Sequence, residues 1–370
     1  MREGWDLVKL GSLCDIQNGF AFDSKLFNND GNGLPLIRIR DIKRGYSETF
    51  TTEKCDNAYI VKDGDYLIGM DGEFNIGQWK SENALLNQRV CKLLPSSKIL
   101  PRFIYYYIPK ALKDIEEKTA YATVKHLSSK QIKEIYIPSI SLPEQQRIVD
   151  ILDREFAKID ALKANAEKSL QAAKDLFQAT LKKELEPKTG WKGLAIPEIS
   201  ENLDYKRVPI TKSVRENGQY PYYGASGIVD YVADYIFDEP LLLVSEDGAN
   251  LLARSTPIAF SIEGKVWVNN HAHVLRFDDS KKQKFVEYWF AGNDISSLIT
   301  GTAQPKFNQK ALNSVKIAFP TKEQEIEDIL DRLGDMEEKS NTLQENYQKT
   351  LTLCDDLKQS LLRKAFNGEL

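Results

Sequence analysis

Cysteine, histidine and long apolar runs are all scarce in this chain of 370 residues. The four cysteines, Cys14, Cys55, Cys91 and Cys354, are scattered, which excludes a disulfide framework and is typical of a reducing cytoplasm. No apolar run reaches the roughly eighteen residues of a membrane span. The first residues, MREGWDLVKLGSL, lack the apolar core of a signal peptide. The sequence therefore predicts a cytoplasmic protein with no membrane contact.

Motifs of catalysis are missing as well. The chain has no GxxxxGK[ST] phosphate loop, no GxGxxG, no GxSxG and no [DNS]PP[YF] motif. His271 and His273 alternate as metal ligands can, but no cysteine or third histidine lies near them in the sequence. Asp247 followed by Glu263-x-Lys265 resembles an Asp…Glu-x-Lys site, so a Mg²⁺-dependent nuclease remains an alternative. Otherwise the sequence predicts no catalytic residue and no metal centre.

The acidic charge is concentrated at one end of the chain. The formal net charge is −4, with 50 basic and 54 acidic residues. Residues 321–370 contain 7 basic and 12 acidic side chains, whereas residues 1–142 contain 20 and 18, and residues 189–320 contain 14 and 15. The parts outside the C-terminal segment are therefore nearly neutral. If the chain binds nucleic acid, its affinity for phosphate alone should be modest and salt-sensitive, and other subunits would add charge.

The chain contains a long internal repeat. PEQQRIVDILDR at 143–154 is echoed by TKEQEIEDILDR at 321–332, at an offset of 178 residues. LFQATLKKEL at 176–185 is echoed by LLRKAFNGEL at 361–370, where the offset is 185. Between these landmarks the second copy is longer by one heptad, the insertion that keeps an apolar seam on the same side of a helix. Two copies of one unit are therefore predicted.

Fainter echoes extend the repeat over most of the chain. Asp71-Gly72 matches Asp247-Gly248, and FIYYY from Phe103 matches FVEYWF from Phe285. The predicted organisation has four parts: a first globule at 1–142, a helix at 143–188, a second globule at 189–320 and a helix at 321–370.

Each predicted helix carries one continuous apolar stripe. The first stripe has a mean step of about 3.7 residues and the second about 3.5, both helical periods. The stripes comprise Ile148, Leu152, Phe156, Ile159, Leu162, Ala166, Leu170, Ala173, Phe177, Leu181 and Leu185, then Ile326, Leu330, Leu333, Met336, Ser340, Leu343, Tyr347, Leu351, Cys354, Leu357 and Leu361. Rods of roughly 65–70 Å exceed what either globule needs internally.

We therefore expect the two stripes to pair with each other. The predicted fold class is α+β: two related α/β globules separated by two long antiparallel coiled-coil helices, with a pseudo-two-fold internal repeat. The globules would then lie at opposite ends of the helical pair. The alternative is a coiled coil that dimerises the protein in trans.

Basic residues in the first globule are candidates for contact with nucleic acid. Arg38 and Arg40 alternate with isoleucines in PLIRIRDI, which predicts that both share one strand face, and Lys43-Arg44 follows in a turn. Arginines in this arrangement can meet phosphates or guanine edges. A solvated strand face is the alternative interpretation.

Further candidates have amide or cationic side chains beside predicted loops. They are Gln78, Lys80, Arg89, Lys125, Asn250, Arg254, Gln304 and Lys306. Lys125 and Lys306 are favoured because both repeats retain a lysine before a short helix. Amide and cation chemistry suits base edges and phosphates, while an ordinary solvated surface is the alternative for each residue.

Several segments together carry a family resemblance over nearly the whole chain. In the first half these are WDLVKLGSLCDIQNGFAF, PLIRIRDI and TVKHLSSKQIKEIYIPSISLPEQQRI. In the second half they are YPYYGASGIVDYV, SEDGAN, VNNHAHVL, TAQPKFNQKALNSVKI and the closing AFNGEL. With these segments the chain resembles the specificity (S) subunit of type I restriction-modification enzymes.

The resemblance implies a division of labour among subunits. Each globule would be a target-recognition domain that reads one half of a bipartite double-stranded DNA sequence. The helices would set the half-site spacing and dock two methyltransferase (M) subunits, which restriction (R) subunits join. This chain would then carry no cofactor, and S-adenosylmethionine, ATP and Mg²⁺ would belong to the partners. A coiled-coil adaptor without a nucleic-acid role is the third class considered.

Overall fold

Two copies of one α+β design make up the chain. The computed structural model describes residues 5–118 and 126–370. The chain divides into unit 1, formed by residues 1–164 and 351–370, and unit 2, formed by residues 165–350. Each long helix therefore gives one part of its length to each unit. No helix within the described ranges is long and apolar enough to cross a membrane.

Within its described residues, unit 1 contains eleven strands, two helices of its own, the first part of one long helix and the last part of the other. Its strands are β1 (Asp6–Lys9), β2 (Cys14–Asn18), β3 (Phe27–Asn28), β4 (Leu34–Ile37), β5 (Phe50–Thr51), β6 (Ile60–Val61), β7 (Tyr66–Gly69), β8 (Ile76–Gln78), β9 (Ala84–Leu86), β10 (Val90–Pro95) and β11 (Tyr136–Ser139). Its helices are α1 (Pro101–Lys118), α2 (Ser129–Lys133) and the first part of α3 (Leu142–Glu184). Short 3₁₀ turns cover Leu10–Ser12, Ser24–Leu26, Ile39–Asp41 and Asn57–Tyr59.

Unit 2 repeats this order of elements. Its strands are β12 (Lys192–Ala195), β13 (Glu201–Asn202), β14 (Asn217–Gly224), β15 (Gly227–Val232), β16 (Phe237–Asp238), β17 (Leu241–Ser245), β18 (Ala259–Ile262), β19 (Lys265–Val268), β20 (Ala272–Arg276) and β21 (Lys316–Phe319). Its helices are the last part of α3, α4 (Ile196–Ile199), α5 (Asn250–Ala253), α6 (Ser280–Gly292), α7 (Gln309–Ser314) and the first part of α8 (Glu323–Asn367), whose last part belongs to unit 1. The 3₁₀ turns are Asp204–Lys206, Lys212–Val214 and Ser296–Leu298.

The sheets of the two units have the same strand order. One sheet is β2-β10-β7-β8 in unit 1 and β13-β20-β17-β18 in unit 2. The other is β3-β5-β4-β9-β6 in unit 1 and β15-β14-β19-β16 in unit 2, so β3 is an added edge strand. In both units the pair before the long helix is antiparallel, β1 with β11 and β12 with β21. The predicted internal repeat is confirmed.

The central strand of each unit explains where the core lies. The four residues of β7 (YLIG) and the five of β17 (LLLVS) are all buried. A strand covered on both faces reads as a continuous apolar run rather than an alternating one. In unit 1, α1 covers β7 with Phe103 and Ile104, and in unit 2, α6 contributes Phe285 and Val286 in the same way.

Within each unit the long helices pack against each other in opposite directions. In unit 1, Lys163 Nζ lies 2.7 Å from Asp355 Oδ1, and Lys358 pairs with Asp160, so rising numbers on α3 meet falling numbers on α8. In unit 2, Arg332 binds Glu184 at 2.8 Å and the Ser340 hydroxyl donates to the carbonyl of Ala173. The predicted antiparallel pairing within one chain is therefore confirmed.

The apolar stripes form this seam with a few exceptions. Leu162, Leu343 and Leu357 were assigned to the stripes by spacing but are exposed. The helices contain 43 and 45 residues, because α8 starts three residues after the point that matches the start of α3 and ends two residues before the matching end. The heptad difference between the repeated landmarks is thus partly absorbed at the helix ends.

A tyrosine joins the globule of unit 1 to its long helix. The hydroxyl of Tyr106 on α1 donates to Asp153 on α3, and Arg102 donates to the same carboxylate oxygen with Nε at 2.9 Å and Nη2 at 2.7 Å. The Arg102 guanidinium also lies 5.0 Å from the centre of the Tyr106 ring. Burial, together with the hydrogen bond to Asp153, raises the pKa of Tyr106 above its usual value.

Unit 2 has the same joint at the equivalent positions of α6. The Tyr288 hydroxyl donates to Glu337 Oε2 of α8 at 2.8 Å. Lys284, one turn earlier, lies 3.7 Å from the same oxygen and 4.5 Å from the centre of the Tyr288 ring. Burial followed by the bond to Glu337 raises the pKa of Tyr288. A cation, a tyrosine and a carboxylate therefore fix each globule to one long helix.

Replacing Tyr106 by Phe tests this joint. We expect Tyr106→Phe to lower the free energy of unfolding by about 1.5–3 kcal/mol, because the substitution removes a hydrogen bond to a charged group and leaves Asp153 with one donor fewer. Denaturant titration of the full chain gives the measurement. Tyr107→Phe is the matched control, since its hydroxyl makes no hydrogen bond within the described residues. Equal losses for both variants would show that the joint adds nothing beyond ring packing.

Candidate nucleic-acid interface

The arginines of PLIRIRDI do not lie on one strand. Strand β4 ends at Ile37, and a 3₁₀ turn, Ile39–Asp41, follows it. The turn forms because the backbone N–H of Arg38 donates to the Asp41 carboxylate at 2.9 Å and caps the turn. The predicted shared strand face of Arg38 and Arg40 is therefore wrong, because a side-chain cap ends the strand between them.

A buried carboxylate organises the cations around this turn. Asp41 is fully buried and bonds to the Arg44 guanidinium, while Arg40 Nε lies 3.8 Å away. Arg44 also contacts Glu48 at 3.3 Å, and Lys43 pairs with Glu73 at 2.6 Å. The charge of Asp41 is offset in this way, as burial of a carboxylate requires. Arg38, Arg40, Lys43 and Arg44 nevertheless remain exposed.

Close backbone packing brings the second candidate segment beside the first. A Cβ on Gly77 would lie 2.1 Å from the carbonyl oxygen of Ile42, so only glycine permits this approach. The backbone N–H of Lys80 donates to Gly45 at 2.9 Å. Gln78, at the end of β8, donates to the carbonyl of Gly64 at 3.4 Å. Exposed Lys80 and half-buried Gln78 are thus gathered next to the arginine turn.

Arg89 lies at another edge of unit 1, where a carboxylate holds it. Arg89 Nη1 lies 2.6 Å from Asp71 Oδ2, and the His126 Nδ1 lies 2.6 Å from Asp71 Oδ1. Asp71 follows β7, Arg89 precedes β10, and His126 forms an isolated bridge with Asp71. His126 was not predicted from the sequence. Lys125, which was predicted, lies outside the described residues.

The repeat pairs Lys306 with a different residue than the sequence indicated. Ser128 caps α2 and Asn308 caps α7. Counted back two residues from these caps, His126 and Lys306 occupy the same position. Lys306 bridges Asp247 as His126 bridges Asp71. Lys306 is therefore equivalent to His126 rather than to Lys125, and the predicted pairing of the two lysines is shifted by one residue. Its Nζ lies 3.4 Å from Glu246 Oε1.

The other candidates of unit 2 differ in their availability. Asn250 begins α5, and its side chain bonds to both backbone groups of Thr256 at 3.0 Å. Arg254 has a left-handed backbone, with φ of 48°, and donates through Nη1 to the carbonyl of Phe290 at 2.8 Å. Burial lowers the pKa of Arg254. The Asn250 side chain is thus bonded within its own loop and that of Arg254 to α6, whereas Gln304 is exposed.

The nuclease alternative fails on geometry. Asp247 lies beyond the C-terminal end of β17, where Val244 pairs with Ala259. Glu263 lies beyond the other end of the same strand pair, where Leu241 pairs with Ile262. At about 3.3 Å per residue, these carboxylates are separated by roughly 15–20 Å. They cannot share a metal ion with each other, so Asp247, Glu263 and Lys265 form no phosphodiester-cleaving site.

A buried ion cluster in unit 2 was missed by sequence reasoning. His273 is 1% exposed, and its Nδ1 lies 2.6 Å from Asp204 Oδ2 while its Nε2 lies 2.8 Å from the carbonyl of Phe307. Arg207 lies 2.8 Å from Glu246 and 3.3 Å from Asp204. The members of this cluster come from separate parts of the sequence, so no local sequence pattern indicates the cluster. The alternating His271 and His273 were its nearest signal.

The cluster neutralises itself rather than awaiting a metal. Donor atoms of Asp204, Glu246 and His273 lie within 4.8 Å of one another, a spacing that a metal ion could use. The Arg207 guanidinium already contacts both carboxylates. Both imidazole nitrogens of His273 face oxygen atoms, those of the Asp204 carboxylate and the Phe307 carbonyl. Arg207 and Lys306 thus supply cationic partners for the two carboxylates, as a buried ionic group requires.

Comparison with known proteins identifies the family. The model for the type I restriction modification DNA specificity domain matches residues 2–172 and 188–346. The sequence left two alternative functions open, a Mg²⁺-dependent nuclease and a coiled-coil adaptor, and this match supports neither of them. The chain belongs to the type I restriction-modification DNA specificity family. It is a DNA-recognition subunit, and members of this family are not catalytic.

Individual relatives agree with the family over most of their length. The type I restriction enzyme EcoBI specificity subunit of Escherichia coli is 29% identical over 413 residues, covering 100% of this chain and 87% of that protein. The StySPI specificity subunit of Salmonella potsdam is 22% identical, covering 100% and 90%. The expected resemblance is thus confirmed.

Solved structures show the same fold. A chain from a study of complex assembly and conformational transition of the type I R-M system has a TM-score of 0.72 at 16% identity, and covers 100% of this chain and 99% of its own. The HsdS subunit from Thermoanaerobacter tengcongensis has a TM-score of 0.55 at 16% identity, covering 100% and 98%. The two-globule α+β fold with long helices is therefore confirmed.

The buried cluster predicts acid sensitivity of unit 2. Burial alone would raise the pKa of Asp204, but its hydrogen bond with His273, a backbone hydrogen bond and the charges of His273 and Arg207 hold the pKa below its usual value. Ionised Asp204 therefore stabilises the fold above the unfolded-state pKa of about 4. This stabilisation is lost as the pH falls through the lower folded-state pKa.

Asp204→Asn tests this assignment. At pH 7 we expect the variant to lose about 3 kcal/mol of unfolding free energy, because Arg207 keeps its buried charge with one counter-ion fewer. Its stability should also fall less steeply than that of the wild type below pH 5, as measured by denaturant titration across pH. Asp278→Asn, at an exposed position, is the control and should match the wild type. An unchanged acid slope in Asp204→Asn would contradict the assignment.

Proposed function

We propose that each unit reads one half of a bipartite double-stranded DNA target. The observation that supports this proposal is the repetition of one strand order, one central strand and one helix joint in both units. Two copies of one framework on one chain match two half-sites of one duplex, as paired reading heads do in other DNA-binding proteins. The exposed loops of the two copies differ in sequence, which suits two different half-sites.

The proposed contact residues follow from exposure and chemistry. In unit 1 they are Arg38, Arg40, Lys43, Arg44, Gln78, Lys80 and Arg89, and in unit 2 they are Gln304 and Lys306. Asn250 and Arg254 act in this proposal by shaping their loop rather than by touching bases. Lys125 stays a prediction. Arginine and lysine would position the phosphate backbone, while arginine and glutamine edges would also read bases.

The long helices are proposed to dock partner subunits and to set the half-site spacing. Several leucines on them are exposed although the seam is formed: Leu162, Leu176, Leu343, Leu353 and Leu357. Exposed apolar side chains on an already paired helix suit a further protein partner. The partners in this proposal are two methyltransferase (M) subunits, which restriction (R) subunits join.

Chemistry is assigned to those partners. We assign S-adenosylmethionine to the methyltransferase subunits and ATP and Mg²⁺ to the partner complex, and no cofactor to this chain. The working boundaries are a target-recognition domain at 1–142, a spacer helix at 143–188, a second domain at 189–320 and a spacer helix at 321–370. A cytoplasmic location follows in this proposal from the DNA partner.

Exchange of one globule tests the assignment of half-sites. Residues 1–142 would be replaced by the same region of a relative, and methylated sites would be sequenced in cells that also express the methyltransferase partner. We expect one half of the target to change and the other half to stay as in the wild type, because each unit has its own core. The reciprocal exchange of residues 189–320 is the matched control. A change in both halves for either exchange would contradict modular reading.

A paired heptad deletion tests the spacing. Ala173 of α3 contacts Ser340 of α8, so residues 166–172 and 341–347 face each other in the antiparallel pair. Deleting both segments removes about 10 Å of helix while keeping the remaining seam in register. We expect the spacer of the methylated target to shorten by about three base pairs, at 3.4 Å each, with both half-sequences unchanged. Altered half-sequences would mean that the helices do not act as the spacer.

A further inference from the structure

One main-chain framework recurs at the end of the central strand in both units. Asp71 follows β7 and Asp247 follows β17, and each precedes a glycine with positive φ, 71° at Gly72 and 107° at Gly248. The residue before each aspartate donates its backbone N–H to the same place in the neighbouring strand. In unit 1, Met70 donates to the carbonyl of Arg89 at 3.0 Å. In unit 2, Glu246 donates to His271 at 2.9 Å. Arg89 and His271 therefore occupy equivalent places.

In unit 1 the aspartate is sheltered and holds two exposed partners. The Asp71 side chain is 17% exposed, whereas those of Arg89 and His126 are 55% and 52% exposed. Arg89 reaches it through Nη1 at 2.6 Å, and His126 through Nδ1 at 2.6 Å. The sheltered carboxylate thus fixes the direction of two side chains that face solvent.

In unit 2 the same places carry different chemistry. Asp247 is also 17% exposed and holds the Nδ1 of His271, which is 48% exposed, at 2.9 Å. Lys306, at the place of His126, is 52% exposed and is held by Glu246 at 3.4 Å. Arg89 of unit 1 is thus replaced by His271 in unit 2, and His126 by Lys306, although the main-chain framework is the same.

Stability does not account for this arrangement. Ion pairs between half-exposed side chains contribute only about 0–1 kcal/mol, so the fold gains little from repeating them. A fixed direction does serve recognition, because a held side chain loses less rotamer freedom on binding. A guanidinium has five donors in a planar fork, so one nitrogen can stay on Asp71 while the rest face a base.

We propose that Arg89 with His126, and His271 with Lys306, are specificity-determining residues of the two units, and that Asp71 and Asp247 position them. Arg89 presents the donors that match O6 and N7 of guanine in the major groove. Imidazole at the equivalent place has a different donor pattern, so unit 2 reads a different base there. This inference rests on the proposed function, since it names the residues of that same interface.

Single substitutions in the complex with the methyltransferase partner test the inference. The target of the wild-type complex is first found by sequencing methylated sites, and binding is then measured on duplexes changed one base pair at a time. Arg89→Ala should lose about 5- to 150-fold of its preference for guanine at one position of one half-site. His271→Ala should lose preference at one position of the other half-site. Lys110→Ala, which removes an exposed charge from α1, is the control and should keep both preferences.

A double-mutant cycle tests the positioning role. Asp71→Asn keeps the side-chain size and should lose preference at the same base pair as Arg89→Ala. The double variant Asp71→Asn/Arg89→Ala should lose no more than Arg89→Ala alone, because both changes remove one interaction. Asp71→Glu should restore part of the preference. A purely structural role of Asp71 would lower the melting temperature without this dependence on base identity, and would overturn the positioning role.

Other outcomes overturn the inference in distinct ways. Equal weakening on every duplex, with a reduced dependence of affinity on salt, would mean that Arg89 contacts phosphate alone. Unchanged preferences at all positions would mean that these ion pairs are surface features. If the wild-type complex has no bipartite target, the proposed function is wrong. If the wild type has such a target and the variants recognise the same target, only this inference is wrong.

Discussion

The structure depends on the burial of one apolar seam between α3 and α8. Neither helix can bury its apolar stripe alone. A stripe of this length is buried along its whole length only by packing against another stripe of similar length. In unit 1 the seam joins the main core through Ile148 and Leu152 of α3 and Ala365 of α8, and in unit 2 through Leu181 of α3 and Leu333 of α8. Each unit thus has a core that its globule and both helices share.

The globules are fixed to this seam by polar contacts as well as apolar ones. A ridge of apolar side chains specifies that a helix packs, but a hydrogen-bonded tyrosine limits how it can rotate. Tyr106 on Asp153 and Tyr288 on Glu337 supply that limit in the two units. A reading surface has to keep its direction relative to the duplex to report sequence, so a specific joint serves a specificity subunit better than apolar packing alone.

The sequence predicted the architecture well because the repeat and the helical stripes depend only on the order and spacing of residues along the chain. Contacts between distant residues were harder to predict. The alternation in PLIRIRDI indicated a strand, yet the carboxylate of Asp41 ends it by capping a turn at Arg38. The match of Lys125 with Lys306 was wrong by one residue because it compared residue types alone. The helix caps Ser128 and Asn308 set the true register between the repeats. The cluster around His273 joins four segments, so no window of sequence could contain it.

Near-neutral globules have a consequence for how this chain can recognise DNA. Several of its candidate cations are held by acids: Lys43 by Glu73, Arg89 by Asp71 and Lys306 by Glu246. A carboxylate beside each of these three cations reduces the long-range attraction to phosphate, which supplies most non-specific affinity. Paired cations keep their hydrogen-bond donors, however, and lose little freedom when they bind. Such a surface favours discrimination over affinity, and a complex that must bind tightly then needs charge from its other subunits.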